Sequence, residues 1–175
     1  MEITLNHRLC RTRDEVLAAA TPQVADFLDE WFSPADFVWG HTSGSTGTPK
    51  PLKLSKRDME ESARLTVDFF GITADTTMLL CLSPDYIAGK MMIVRTLLSG
   101  ADLLVVPPSS RPLATVDEPV DFAAMVPAQV VESLSDDAQR ARLARVGALI
   151  IGGAPLSPEC EARLTRLPVR AYATY

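Results

Sequence analysis

The sequence predicts an α/β fold, a layered and largely parallel sheet with helices on both faces, and two observations carry the prediction. From residue 78 onward, apolar runs of strand length alternate with helical stretches. Those runs are almost continuously apolar, as in strands covered on both sides, instead of alternating with polar residues. At 175 residues, with 47 % hydrophobic and 22 % charged, the chain has the size and composition of one globular domain. Disorder, collagen-like repeats and coiled coil are poor readings, and no internal repeat is visible.

The elements follow in order. Thr12 and Glu15 form the pattern of a capping box, so a helix is expected over about 13–20. Thr21-Pro22 opens a second helix, in which Val24, Phe27, Leu28 and Trp31 share one face. Residues 1–34 are thus expected to form N-terminal helices. Phe37-Val38-Trp39 reads as a short buried strand, interrupted by small and turn-forming residues from Gly40 to Pro49. Leu52 and Leu54 alternate with Lys53, and a half-exposed strand resumes. Ser55 with Asp58 starts the next helix, its apolar face formed by Met59, Ala63, Thr66, Val67 and Phe70, and Gly71 supplies the left-handed stop.

Beyond it come a strand at Met78–Leu82, a helix over 87–98, strands at Leu103–Val106 and Phe122–Val126, and a helix over 128–134. A helix over 136–145, a strand at Leu149–Ile151, a helix over 158–166 and a strand at Val169–Tyr175 complete the set. Pro107–Pro119, with four prolines, is expected to be a surface connection. The last strand has no turn or cap behind it, so the sequence reads as cut there, and an unpaired strand near 170–175 would invite a homodimer.

Seventeen Lys and Arg against 22 Asp and Glu give a formal charge of −5, which disfavours nucleic acid and anionic membrane as partners. No apolar run reaches the ~20 residues of a membrane span, and the polar start lacks the apolar stretch of a signal peptide. A cytoplasmic protein is expected. Cys10, Cys81 and Cys160 are odd in number and far apart, which suits buried, reduced thiols better than a disulfide framework or a zinc site.

The chemistry concentrates in Thr42-Ser43-Gly44-Ser45-Thr46-Gly47-Thr48-Pro49-Lys50. Glycines let backbone approach a ligand, successive amides and hydroxyls donate to phosphate oxygens, and Lys50 adds the counter-charge. A polar surface turn is the plain alternative. A Walker A loop is not, because Gly44 and Gly47 are three apart and Lys50 follows a proline.

These nine residues resemble the phosphate-binding signature of the AMP-forming adenylating enzymes, the superfamily of acyl-CoA synthetases, luciferases and nonribosomal peptide adenylation domains. Val126-Pro127-Ala128-Gln129 and Gly152-Gly153-Ala154-Pro155-Leu156 resemble two further segments in the family's order, so the likeness spans most of 37–175. Within the superfamily, the spacing and short N-terminus resemble the o-succinylbenzoate–CoA ligases of menaquinone biosynthesis.

The resemblance implies a two-step reaction in which a carboxylate and ATP give an acyl-adenylate and pyrophosphate, and CoA then displaces AMP. It implies that Thr42, Ser43, Gly44, Ser45, Thr46, Gly47 and Lys50 hold the β- and γ-phosphates, with Lys50 and Thr46 as the catalytic candidates. Gly152, Gly153, Ala154 and Pro155 would line adenine, and Tyr175 would stack on it. For the acyl acid it points to Tyr86, which stands where the family usually has histidine, and to Gln129. A cation for a second carboxylate would be Arg95 or Lys90, each equally readable as a surface charge on its helix. ATP, Mg²⁺ and CoA are the implied cofactors and co-substrates, and residues 35–175 the nucleotide- and acyl-binding part.

His7 and His41 lack the partner spacing of a triad or metal site, and Asp136 with Arg140 reads as an exposed i,i+4 pair on a solvated helix. The family's Mg²⁺-holding glutamate, ribose-gripping aspartate, hinge and small C-terminal domain would all follow Tyr175. The chain as written is therefore expected to be an incomplete N-terminal domain, inactive alone. Two other readings stay open: a ligase or adenylation domain for another aryl, fatty or amino acid, and a non-catalytic nucleotide-binding or partner module.

Overall fold

Successive residues of the strand after Thr76 go to opposite sides. Met78 and Leu80 pack into one core, Leu79 and Cys81 into another. The same alternation recurs at Phe122 and Ala124 against Ala123 and Met125, and at Ala148 against Leu149. A sheet with two apolar faces needs a helical layer on each. The computed structural model, which describes residues 1–41 and 51–174, has that arrangement.

The chain runs β1 (Ile3–Leu5), β2 (Arg8–Cys10), α1 (Arg13–Ala19), α2 (Pro22–Trp31), β3 (Phe37–His41), β4 (Pro51–Ser55), α3 (Lys56–Phe70), β5 (Thr77–Leu80) and α4 (Ile87–Ser99). It continues through β6 (Asp102–Val105), β7 (Val120–Met125), α5 (Pro127–Ser135), α6 (Asp137–Leu143), β8 (Val146–Ile151), α7 (Pro158–Leu164) and β9 (Arg170–Ala173). Seven strands form one sheet in the order β2-β1-β6-β5-β7-β8-β9, parallel throughout except for the β1–β2 hairpin. Helices α1 to α4 supply one core and α5 to α7 the other. Each fully buried Leu or Met in these layers stabilises the fold by roughly 1.5–3 kcal/mol.

The helix starts follow their caps. Thr12 and Glu15 form the capping box of α1, the Ser55 hydroxyl accepts the Asp58 amide at the start of α3, and Gly71 ends α3 at φ 66.

Four expectations need correction. Residues 1–34 are not all helical: β1 and β2 form a hairpin whose turn residues, Asn6 and His7, have φ 49 and 65. Asn6 ties it down, its side-chain oxygen accepting the Val105 amide at 2.9 Å and its side-chain nitrogen donating to the Ala19 carbonyl. Pro107–Pro119 is not wholly superficial, since Leu113 and Val116 are 1 % and 5 % exposed in the second core.

Asp136 does not pair with Arg140. Its carboxylate caps α6 through the Gln139 amide and pairs with Arg111, while Arg140 pairs with Asp137. Finally, the alternative reading of Lys90 and Arg95 as surface charges falls, since they are 6 % and 8 % exposed.

The antiparallel ribbon β3–β4 stands apart from the seven-stranded sheet. All three cysteines are buried and free, and burial pushes the Cys81 thiol up to about 12. No helix of the described residues is long and apolar enough to cross a membrane.

Candidate functional site

Connections from the sheet reverse direction at β5. The chain leaves β5 through α4 to β6 on one side, and the next strand, β7, pairs with the other side of β5. The helices after β5 and β7 consequently cover opposite faces, and their starts diverge, leaving a crevice outside the carboxyl ends of the two strands. A cavity of about 600 Å³ opens there.

Leu82 and Ser83 after β5, Tyr86, Ile87 and Ala88 at the start of α4, Val126 after β7 and Gly153 after β8 line it from the sheet side. Gly40, Leu52 and Leu54 of the ribbon form the facing wall. Tyr86 and Ile87 are each 49 % exposed and Leu52 is 50 % exposed, so apolar surface is presented to the opening without a partner among the described residues, as in a ligand cleft. The cavity also meets the first turns of α4 and α5, whose amides lack helical acceptors and favour negative charge. The N-cap Tyr86 supplies α4 with no side-chain hydrogen bond.

Local geometry explains this wall. The Ser83 hydroxyl donates to Asp85 at 2.8 Å and the Ser83 carbonyl accepts the Tyr86 amide at 3.2 Å, which fixes the turn into α4. A Cβ on Gly40 would come within 2.7 Å of Leu54 Cδ1, so a side chain there would displace the leucine that lines the same wall. Gly153 has φ 90, a conformation that L side chains rarely adopt. Gly152 donates its amide to the Met125 carbonyl at 3.2 Å, and a Cβ there would meet Thr174 Oγ1 at 2.7 Å.

The site residues expected from the sequence separate into three groups. Thr42, Ser43, Gly44, Ser45, Thr46, Gly47 and Lys50 lie outside the described residues, as does Tyr175. The strands on either side of the first seven end at the cavity, since Gly40 and Leu52 pair across the ribbon and both line it. Tyr86 and Gly153 also line it, while Gly152, Ala154 and Pro155 follow β8 next to it.

Gln129, Lys90 and Arg95 are not among the lining residues. The side-chain amide of Gln129 donates to the carbonyls of Cys81 at 3.1 Å and Ser109 at 2.9 Å and accepts the Val126 amide at 3.2 Å, so it shapes the wall through Val126. The Lys90 ammonium lies 4.0 Å from Glu30 and 4.7 Å from the centre of the Phe27 ring. Arg95 has no carboxylate within ion-pair distance among the described residues, its Nε is buried without a hydrogen-bond partner, and burial pushes its guanidinium down to about 10.

Sequence reading did not anticipate Gly40, Leu52 and Leu54 as one wall. The available signal was a pair of leucines that a solvated ribbon has no use for. Among the described residues no group of three or more His, Cys, Asp or Glu could hold a metal ion.

Comparison with known proteins fits this geometry. A protein of Mycobacterium tuberculosis named Probable 2-succinylbenzoate--CoA ligase is 30 % identical over 125 residues, covering 65 % of this chain and 31 % of the relative. Enterobactin synthase component E of Escherichia coli is 31 % identical over 146 residues, covering 75 % of this chain and 26 % of its own length. The chain thus spans about a third or less of these curated relatives. The crystal structure of an acyl-CoA synthetase (AMP-forming)/AMP-acid ligase II-like protein from Dyadobacter fermentans superposes with TM-score 0.79 at 35 % identity. It covers 89 % of this chain and 45 % of that one. A sequence model of the family described as AMP-binding enzyme matches residues 4–175. With that match running almost end to end, the chain belongs to the AMP-binding enzyme family.

Proposed function

We propose that this chain forms the nucleotide- and acid-binding part of an ATP-dependent, AMP-forming acid–CoA ligase whose acid is o-succinylbenzoate. One observation carries the reading: the cavity at the reversal point of the sheet is walled on one side by Gly153 and on the other by the two strands that flank Thr42–Lys50. A nucleotide bound there has glycine backbone at its base end and a hydroxyl-rich stretch joined to the opposite wall.

In the first half-reaction a carboxylate oxygen of the acid attacks the α-phosphorus of ATP and pyrophosphate leaves. In the second the CoA thiol, losing its proton, attacks the acyl carbon and AMP leaves. Thr42, Ser43, Ser45, Thr46 and the amides of Gly44 and Gly47 would hold the departing phosphates, and Lys50 would neutralise them. Donors fixed in advance where charge develops commonly contribute a few kcal/mol each. Gly152, Gly153, Ala154, Pro155 and Tyr175 would receive the adenine. Tyr86 would form one wall for the aromatic acid, and Arg95, buried on α4 outside the cavity lining and without a carboxylate partner among the described residues, is the cation proposed for the acid's second carboxylate. Mg²⁺, typical of the family, would be held with the phosphates by one or two carboxylates and water, and the described residues hold no group of three or more His, Cys, Asp or Glu for it.

The test is thermal stability with ATP and a panel of acids: o-succinylbenzoate, benzoate, decanoate and an amino acid. A ligand that binds only the native state at 100 times its Kd stabilises by about 2.7 kcal/mol. ATP is expected to raise Tm, and o-succinylbenzoate to add more than the monocarboxylic acids. A larger gain from another acid would move the substrate to that class, and no gain from ATP would favour a partner module and overturn the ligase reading.

A further inference from the structure

Glu30, in the last turn of α2, joins the two walls of the cavity without lining it. Its Oε1 accepts the amide of Trp39, in the middle of β3, at 2.6 Å. Its Oε2 lies 4.0 Å from the Lys90 ammonium on α4. Trp39 immediately precedes Gly40 on the ribbon wall, and Lys90 is one turn beyond Tyr86, whose carbonyl accepts the Lys90 amide at 3.1 Å.

Among the described residues the ribbon shares no strand pairing with the seven-stranded sheet, so other contacts fix its distance from the body. Two come from Lys56, whose amide donates to the Asp36 carbonyl and whose ammonium donates to the Ser33 carbonyl at 2.8 Å. Both lie at the Phe37–Ser55 end of the ribbon, beyond Leu54. Glu30 holds the ribbon at its midpoint, one residue from the lining glycine.

Lys90 is buried against Phe27. Burial pushes its ammonium below the ordinary lysine range, and Glu30 supplies the main opposing charge. A buried cation placed to hold a carboxylate, which in turn holds a backbone amide, fits the outer support of a site better than a solvated ion pair.

We infer that Glu30 is a positioning residue, held between Lys90 and the Trp39 amide, that sets the separation of the ribbon wall from the α4 wall and thereby tunes nucleotide affinity. The inference rests on the reading of this cavity as the nucleotide site. Replacing Glu30 by alanine removes the acceptor for Trp39 and leaves Lys90 unpaired, whereas glutamine keeps a neutral acceptor.

The experiment measures the Kd for ATP, Tm, and hydrogen exchange at the Trp39 and Gly40 amides in four proteins: wild type, Glu30→Ala, Glu30→Gln and the double variant Glu30→Ala/Lys90→Met. The expected results are an ATP Kd about tenfold weaker in Glu30→Ala, faster exchange at both amides, and affinity within about twofold of wild type in Glu30→Gln. The double variant should regain Tm, because the unpaired charge is gone, yet keep the weak affinity and fast exchange. Affinity that returns along with Tm would reduce Glu30 to a structural partner of Lys90 and overturn the inference. Exchange at Trp39 and Gly40 unchanged by Glu30→Ala would overturn it as well, whether or not the wild type binds ATP. Absence of ATP binding by wild type would instead defeat the nucleotide-site reading.

Discussion

A Cβ placed on Gly89 would stand 2.3 Å from the carbonyl oxygen of Ser83. The first turn of α4 therefore rests directly on the turn that follows β5, and only glycine permits the contact. Both obstructing atoms nearest it, the oxygen and carbon of Ser83, belong to backbone and cannot swing aside. Gly89→Ala should cost about 2–3 kcal/mol, the usual penalty for forcing an extra methyl into a packed site. For a chain of this length that lowers Tm by roughly 5–10 °C. Differential scanning calorimetry checks it, and because Tyr86 would move with the helix start, ATP and acid affinity should fall as well.

Arg95 should show stability and function pulling apart. A buried guanidinium without a carboxylate partner among the described residues has lost its hydration and gained little in exchange. Arg95→Met, which retains the apolar stem, is expected to leave stability unchanged or raise it by about 1 kcal/mol by urea titration. The same variant should lose the preference for o-succinylbenzoate over benzoate. A drop of several kcal/mol would mean that Arg95 has a structural partner, and an intact preference would remove it from the acid site.

His7 gives a pH signature remote from the cavity. Its Nε2 lies 3.0 Å from Glu118 Oε1, and its ring also faces Asp102. The Glu118 hydrogen bond and then the Asp102 charge raise its pKa above 6.5. A raised folded-state pKa means that the protonated form is bound more tightly in the native state. The stabilisation is present in full below the unfolded value and is lost as pH rises through the folded one. His7→Asn, which tolerates the positive φ, should lower Tm relative to wild type at about pH 5.5, and the gap should close by about pH 8.5. A gap independent of pH would show that the ring acts through packing alone.

What the sequence made legible follows physical range. Helices α1 and α3 announce themselves through Thr12, Glu15, Ser55 and Gly71, because a cap is a local event between residues a few positions apart. The double-faced sheet is legible because apolar runs such as Met78–Leu80 cannot hide in one layer.

The β1–β2 hairpin escaped notice because its strands are three residues each and its turn uses Asn6 and His7 where glycine would have signalled positive φ. In sequence, Lys90 and Arg95 are as readable as surface charges as they are as acid-binding cations, because lysine and arginine are usually exposed. The contrary signal was Met91-Met92-Ile93-Val94, a helix segment apolar on every side, which belongs in a core. The cavity itself was legible only in part. Gly153 and Tyr86 could be named from resemblance, but their meeting with Gly40 and Leu52 depends on where a ribbon outside the main sheet docks, which no short-range pattern encodes.

The most direct test of the central claim is amide chemical-shift mapping of the ¹⁵N-labelled chain titrated with ATP. Shifts are expected at Gly40, Leu52, Ala88, Val126 and Gly153, with Asp121, Gly147 and Arg170 at the opposite ends of the strands unmoved. Perturbations confined to those rear residues, or a spectrum that ATP leaves unchanged, would contradict the assignment of this cavity to a nucleotide.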